Sequence, residues 1–318
     1  MKRNHPVLAV VVPCYNEELV IRESATRLTG LLSDLIAAQK ISPKSFIYFV
    51  DDGSTDESWT IIAQLHHHRE SVIKGLKLVR NVGSQTALLA GLLNVREHAD
   101  CAVTIDADLQ HDEQAIWSFL EKYQQGAEVV YGVRNDRRTD TFLKKYTVLF
   151  FYTLMNILGV RIIKNHADYR LISQKALQAI SDYKEYNLFL RGIFLDMGFK
   201  SDVVYFNVRE RYAGEPKQTA RELLSIAWDG LTSFSVVPLR LITFTGAAIL
   251  VLSILSSVYI LLQAATGSSI PGWASIVIPI YFIGGLQITL MGVLGEYVGK
   301  MYKEIKARPR FIKDIELF

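Results

Sequence analysis

Residues 46–68 read FIYFVDDGSTDESWTIIAQLHHH, and the order of chemistry within them decides the fold. Phe46 to Val50 is a run of aromatic and β-branched residues, the composition of a strand buried on both faces. The run stops at Asp51-Asp52-Gly53-Ser54, and a helical pattern follows from Asp56 to His67. Ser54, with Glu57 three residues on, has the spacing of a capping box at the start of that helix. The three consecutive histidines at its end face different directions and read as solvated surface.

The same order recurs on both sides. Upstream, Val7 to Val12 is a strand that ends in Pro13-Cys14-Tyr15-Asn16-Glu17-Glu18, with a helix over Glu17 to Ala38. Downstream, the strand Gly75 to Val79 ends in Arg80-Asn81-Val82-Gly83 and is followed by a helix over Ser84 to His98. The strand Ala102 to Ile105 ends in Asp106-Ala107-Asp108-Leu109-Gln110, with a helix from Asp112 to Gln125 stopped by Gly126. Val129 to Val133 closes the series. Such alternation predicts an α/β fold, a mostly parallel sheet with helices on both faces. Ligands of these sheets bind at the carboxyl ends of the strands. The polar clusters therefore converge on one edge and describe a site. Asp52 and Glu17 can accept hydrogen bonds from a uracil N–H or ribose hydroxyls, and Gly53 and Gly83 permit close approach of backbone to a ligand.

Asp106 and Asp108 are the sharpest feature of that edge. In an extended segment, residues two apart point to the same side. Two neighbouring carboxylates repel unless one is protonated or a cation lies between them. A hard divalent ion, Mg²⁺ or Mn²⁺, shared with the oxygens of a diphosphate, is the natural partner. A bare D-x-D is common by chance; its place after a strand, with companion clusters in register, gives it weight. Cys14 and Cys101 both fall in or beside buried strands and read as reduced core thiols rather than a disulfide.

The chain has 318 residues, half of them hydrophobic, and a formal net charge of +3. That balance gives no reason to expect nucleic acid, and no basic stripe with interleaved aromatics is present. Val7 to Val12 is too short for a signal-peptide core. Membrane signals lie instead in the second half. Leu239 to Leu262 is nearly uncharged apart from Arg240 and has about the ~20 residues that span a bilayer. Ile276 to Leu294 is a second such run, and Lys300, Lys303, Lys306, Arg308, Arg310 and Lys313 follow it. Excess positive charge there predicts a hairpin with both ends in the cytoplasm. Phe142 to Val160 and Glu222 to Val236 read as amphipathic helices in the membrane interface. Gly284-Gly285, Gly292 and Gly295 permit close helix packing and hence a homo-oligomer. Four regions are expected: an α/β core over 1–138, a less regular region with interfacial helices over 139–236, a transmembrane hairpin over 237–298 (spans about 239–262 and 276–295) and a cytoplasmic basic tail over 299–318.

The motifs VVPCYNEE, VDDGSTDES, RNVGSQTALLAG and DADLQHD, in that order, resemble the inverting family-2 glycosyltransferases of GT-A fold. The later HADYRLIS and RYAGEPK, followed by two apolar runs, are similar to the branch that acts on polyprenyl phosphates, such as bacterial undecaprenyl-phosphate glucosyltransferases and dolichyl-phosphate mannose synthases. The resemblance implies a nucleotide-sugar donor, most often UDP-glucose, a divalent metal, Mg²⁺ or Mn²⁺, and a polyprenyl (undecaprenyl) phosphate acceptor. It also implies a plasma-membrane enzyme with a cytoplasmic catalytic domain, serving cell-envelope glycan modification and needing a separate flippase. By the same resemblance Pro13, Tyr15, Glu17 and Asp52 line the nucleoside pocket. Asp106 lies near ribose or metal, Asp108 is the principal metal ligand, and Gln110 touches sugar or diphosphate. Arg134 and Arg137 are placed for phosphate, Asp168 belongs to the acceptor side, and Arg170 binds the acceptor or its phosphate. Arg211 and Lys217 match a motif that usually reads R-x-x-G-x-S-K; here Pro216 stands for the serine and removes a hydroxyl and a backbone N–H.

Other readings remain. A GDP-mannose-dependent polyprenyl-phosphate mannosyltransferase fits the same motifs. A processive polysaccharide synthase would carry Q-x-x-R-W and more spans. A nucleotidyltransferase would want a glycine-rich phosphate loop, which PCYNEE lacks. A non-enzymatic membrane scaffold would not need Asp52, Asp106, Asp108, Gln110 and Arg211 together.

Overall fold

The computed structural model describes residues 3–135, 163, 166–185, 190–209, 237–265 and 273–318. Strand β1 (Leu8–Cys14) sends Leu8, Val10 and Val12 to one face and Ala9 and Val11 to the other, and all five are buried. That is the signature of a strand covered on both sides. Helix α1 (Ile21–Ala37) buries Ile21, Leu28, Leu32 and Leu35 on the first face, and α4 (Ala115–Gln124) adds Phe119, Leu120 and Tyr123. Helix α3 (Ser84–Val95) packs Leu88, Leu89 and Leu92 on the second face. Between them run β2 (Phe46–Asp51), α2 (Ser58–His68), β3 (Ile73–Leu78), β4 (Cys101–Thr104) and β5 (Val129–Arg134). Cys14 and Cys101 are buried free thiols, and burial raises the pKa of both, as expected of core residues.

The rest of the sheet departs from a simple alternation. Strand β6 (His166–Ser173) runs antiparallel between β4 and β5, pairing Thr104 with Arg170 and Val133 with His166. It is followed by α5 (Gln174–Ala179), a short 3₁₀ turn (Ile180–Asp182), α6 (Leu190–Asp196) and β7 (Ser201–Phe206), which pairs parallel with β5. The full order is β7-β5-β6-β4-β1-β2-β3-β8. Because β6 runs backwards, its first residues reach the edge where its parallel neighbours end. That inversion brings Asp168 to the carboxyl edge.

Two local expectations change. Helix α2 begins at Ser58, whose N–H donates to Asp56 Oδ1 at 2.9 Å; Ser54 Oγ instead accepts from the Asn16 backbone, so the capping box is not made. The chain beyond the apolar helices does not stay a tail. Strand β8 (Lys313–Leu317) adds to the free edge of β3 in antiparallel register, with Gly75 opposite Leu317 and Leu76 opposite Glu316. Tyr48 Oη donates to Glu316 at 3.2 Å, and the Phe318 ring lies against Phe46, Tyr48 and His98. Lys74 Nζ covers that ring at 3.5 Å. An exposed edge is thereby closed. The expected boundary at 299 moves accordingly, since the last strand belongs to the sheet.

Helices α7 (Val237–Ala265) and α8 (Trp273–Ile305) contain the two apolar runs. Among the described residues, Phe282–Ile305 is long and apolar enough to cross a membrane, with none of its most apolar window buried. One such helix is supported where a pair of spans was expected. The amphipathic segments expected over 142–160 and 222–236 lie outside the described residues.

Phe318→Ala should lower the stability of the sheet by about 1–2 kcal/mol through lost ring contacts. The measurement is the thermal midpoint of the detergent-solubilised chain. An unchanged midpoint would mean that the last strand only rests on the surface.

Candidate active site

The loops after β1 and β2 are stitched together. The Asn16 backbone donates to Ser54 Oγ at 3.0 Å, Thr55 N donates to Asn16 Oδ1 at 2.9 Å, and Glu17 N donates to Ser58 Oγ at 2.8 Å. Asn16 takes a positive φ of 52°, which asparagine tolerates. Pro13, Tyr15 and Glu17 are half-buried along this seam.

Asp52 closes the next gap. Its two oxygens accept from Val82 N at 2.8 Å and Gly83 N at 2.9 Å. Burial pushes its pKa up to about 6; those two bonds oppose the rise, and Asp51 adds to it. Gly83 has φ +90°, a conformation that a residue with Cβ resists. Gly53 is needed for a different reason from the one expected. A Cβ there would lie 2.5 Å from the Arg80 carbonyl carbon, so the glycine is required by the close approach of the chain's own backbone.

Asp106 and Asp108 come together through a turn, not through the pleat of a strand. Strand β4 stops at Thr104, and the buried Leu109 adopts φ 60° between Asp108 and Gln110. A leucine held in the left-handed region marks local strain. Asp108 Oδ1 accepts from Gln110 N at 3.1 Å and steadies the turn. The Asp106 side chain keeps 45% of its surface, an open top over a dry floor. Its pKa is raised, first by burial and then by Asp168 and Asp108, while His111 and Arg134 oppose. His111 is 1% exposed, stacked on Tyr169, with Nδ1 lacking a hydrogen bond 3.7 Å from Asp106 Oδ2. Burial lowers its pKa against the pull of Asp106 and favours neutral imidazole.

A divalent cation fits this turn in part. Mutually repelling carboxylates and an unpartnered buried nitrogen favour positive charge. Among the described residues, no three acidic, histidine or cysteine side chains are grouped to hold a metal alone. A cation at Asp106 and Asp108 would therefore complete its shell with substrate oxygens.

Beyond the turn stands Asp168, 20% exposed. It pairs with Arg170 Nη2, accepts from Arg191 Nε at 3.2 Å and Nη2 at 2.8 Å, and accepts from Gln85 Nε2 at 3.2 Å. Burial works to raise its pKa, but Arg191 and Arg170 outweigh it and hold the carboxyl well below the usual range. His166, on the same strand, is pushed down to about 3 by burial and by the same two arginines.

Arg170 requires a correction. Its side chain is 0% exposed; Nη1 donates to Leu190 O at 3.5 Å, and the guanidinium lies 5.0 Å from the Phe194 ring centre. It supports Asp168 from beneath and does not present itself to a phosphate. Arg134 ends β5 exposed, within electrostatic reach of Asp106. Gln110 is half-buried, and its carbonyl accepts from Arg209 N at 2.9 Å. Arg137, Arg211 and Lys217 lie outside the described residues.

Three further residues join the site without having been singled out by sequence. Gln85 lies within RNVGSQTALLAG, and Arg191 is the lone charge in the apolar stretch LFLRGIF. Arg209 binds Glu113 at 2.8 Å and Asp112 at 2.7 Å, tying the chain after β7 to the acidic turn.

Residues 9–181 match Glycosyl transferase family 2. Over all of the chain and 94% of the relative, 47% of residues are identical to "Uncharacterized glycosyltransferase YkoT" of Bacillus subtilis (strain 168). Identity is 36% to "SfII prophage-derived bactoprenol glucosyl transferase" of Shigella flexneri, over 96% of each chain. Glucosyl-3-phosphoglycerate synthase from Mycobacterium tuberculosis superposes with a TM-score of 0.46 at 16% identity, covering 71% of this chain and 78% of that one. That likeness is too loose to assign a substrate or a metal.

Asp52 binds its proton more tightly in the folded chain than in an unfolded one. Its contribution to stability is present below the ordinary carboxylate range and is lost as pH rises through about 6. Between about pH 5 and about pH 7, the thermal midpoint of the wild type should fall further than that of Asp52→Asn. Parallel curves would mean that Asp52 stays ionised throughout.

Proposed function

Because this chain belongs to glycosyltransferase family 2, we propose that it moves glucose from UDP-glucose to the phosphate of a polyprenyl (undecaprenyl) carrier at the cytoplasmic face of the plasma membrane. One juxtaposition carries this reading. An acidic turn and a cluster of arginines meet at the carboxyl edge of the sheet, in a chain that also holds an apolar helix of membrane-crossing length. The bactoprenol glucosyl transferase similarity, which runs through those helices, supports the acceptor class.

The acceptor dictates the chemistry. A phosphate monoester has a second pKa of ~6 and is largely dianionic near neutral pH. One of its oxygens bonds to the anomeric carbon as the bond from that carbon to the UDP diphosphate breaks. The in-line displacement inverts the centre and gives a β-linked polyprenyl-phosphate glucose. No strong base is needed, and Asp168 is not arranged as one, since its oxygens are engaged by two guanidinium groups and an amide. The larger obstacle is repulsion between two anionic substrates. Arg134, together with Arg137, Arg211 and Lys217, supplies the opposing charge. Pro13, Tyr15, Glu17 and Asp52 receive the nucleoside, and Gln110 faces the sugar or diphosphate. Asp108 and Asp106 hold Mg²⁺ or Mn²⁺, which when bound neutralises the departing diphosphate. Helices α7 and α8 hold the domain at the bilayer as a hairpin, and a separate flippase carries the product across.

Asp108→Ala should reduce transfer by at least about a hundredfold, whereas Asp168→Asn should keep a measurable fraction. The assay follows radiolabel from UDP-glucose into undecaprenyl phosphate in membranes, with and without EDTA. Label entering the lipid only from GDP-mannose, or undiminished by EDTA, would overturn the donor or the metal respectively. Complete loss in both variants would make Asp168 an obligatory base.

A further inference from the structure

We propose that Arg191 is an anion-binding residue of the transfer site that takes the phosphate of the acceptor, with Asp168 and Gln85 as the groups that aim it; this rests on the acceptor class proposed above. The charges come first. Among the described ion pairs, Asp168 is shared by two guanidinium groups. His166 beside them stays neutral and adds no charge. Arg170 is completely buried, while Arg191 keeps 37% of its side chain exposed. Of the two, Arg191 is the guanidinium that solvent reaches. The two guanidinium groups also repel one another, and an anion over Arg191 relieves that repulsion.

Position comes next. Arg191 meets Asp168 edge-on through Nε and Nη2, which fixes the plane of its guanidinium. Asp168 is anchored in turn, because its carbonyl accepts from Thr104 Oγ1 at 2.7 Å, two residues before Asp106. Gln85 holds both sides of the arrangement. Its Nε2 donates to Asp168, and its Oε1 accepts from the backbone of Leu190, the residue before Arg191. Gln85 follows Gly83, whose amide is bound by Asp52. Strand β6, helix α3 and the end of β4 thus fix one exposed cation beside the acidic turn. A guanidinium so oriented suits a phosphate monoester, which it binds through paired N–H donors.

The test uses the full chain in nanodiscs, varying undecaprenyl phosphate at saturating UDP-glucose and then the reverse. Arg191→Gln should raise the acceptor KM by about tenfold and leave the donor KM within about twofold, with Arg191→Lys intermediate. An unmoved acceptor KM, or a donor KM raised as much, overturns the proposal. The wild-type thermal midpoint with inorganic phosphate alone supplies a second reading. Phosphate should raise it in the wild type and not in Arg191→Gln, and equal shifts overturn the assignment. Should the wild type transfer no sugar to undecaprenyl phosphate, the acceptor class fails, and the phosphate shift still decides whether Arg191 binds an anion.

Discussion

Asp168 accepts hydrogen bonds from Arg170, Arg191 and Gln85, and these donors stand on β6, α6 and α3. A carboxylate in such a dry place is costly unless its charge is met and its lone pairs are filled. Here both conditions hold. The consequence is a fixed relation between elements that are distant in sequence, at the carboxyl edge of the sheet. Removing Asp168 would leave the completely buried Arg170 without its carboxylate, which costs far more than the pair contributes when intact. The same saturation leaves both carboxylate oxygens engaged by guanidinium and amide donors.

The donor side is built on a second carboxylate used in a comparable way. Asp52 draws the turn after β3 onto the end of β2, so that the loops after β1, β2 and β3 form one continuous rim. The acidic turn after β4 is different. Burial and the charges of Asp168 and Asp108 raise the proton affinity of Asp106, the leucine of the turn is strained, and the buried imidazole nitrogen behind it lacks a hydrogen bond. A rim that is satisfied and a turn that is not thus stand side by side along the same edge.

Much of this was legible from residues alone. The first five strands follow from apolar runs that end in polar clusters, because a parallel strand buried on both faces leaves no other pattern. Elements whose partners are remote in sequence were not legible. HADYRLIS was noticed as a motif, but nothing local says that it inserts backwards between β4 and β5. The alternation in KDIEL is short and follows a basic stretch, so β8 was taken for a tail. Ser54 has capping chemistry and spends it on Asn16 across a loop, a tertiary choice that spacing does not reveal. Arg170 looked like a phosphate ligand because sequence records its charge and not its depth.

Strand β8 has a consequence for biosynthesis. A ribosome completes β3 long before it reaches residues 313–317, and α7 and α8 emerge in between. The outer edge of the sheet therefore stays unpaired while the apolar helices are being made. An unpaired edge can recruit other strands, which makes that interval the vulnerable one for the nascent chain. Only after both apolar helices have been made can the sheet gain its final strand, so the α/β domain begun by the first strands is completed late in synthesis.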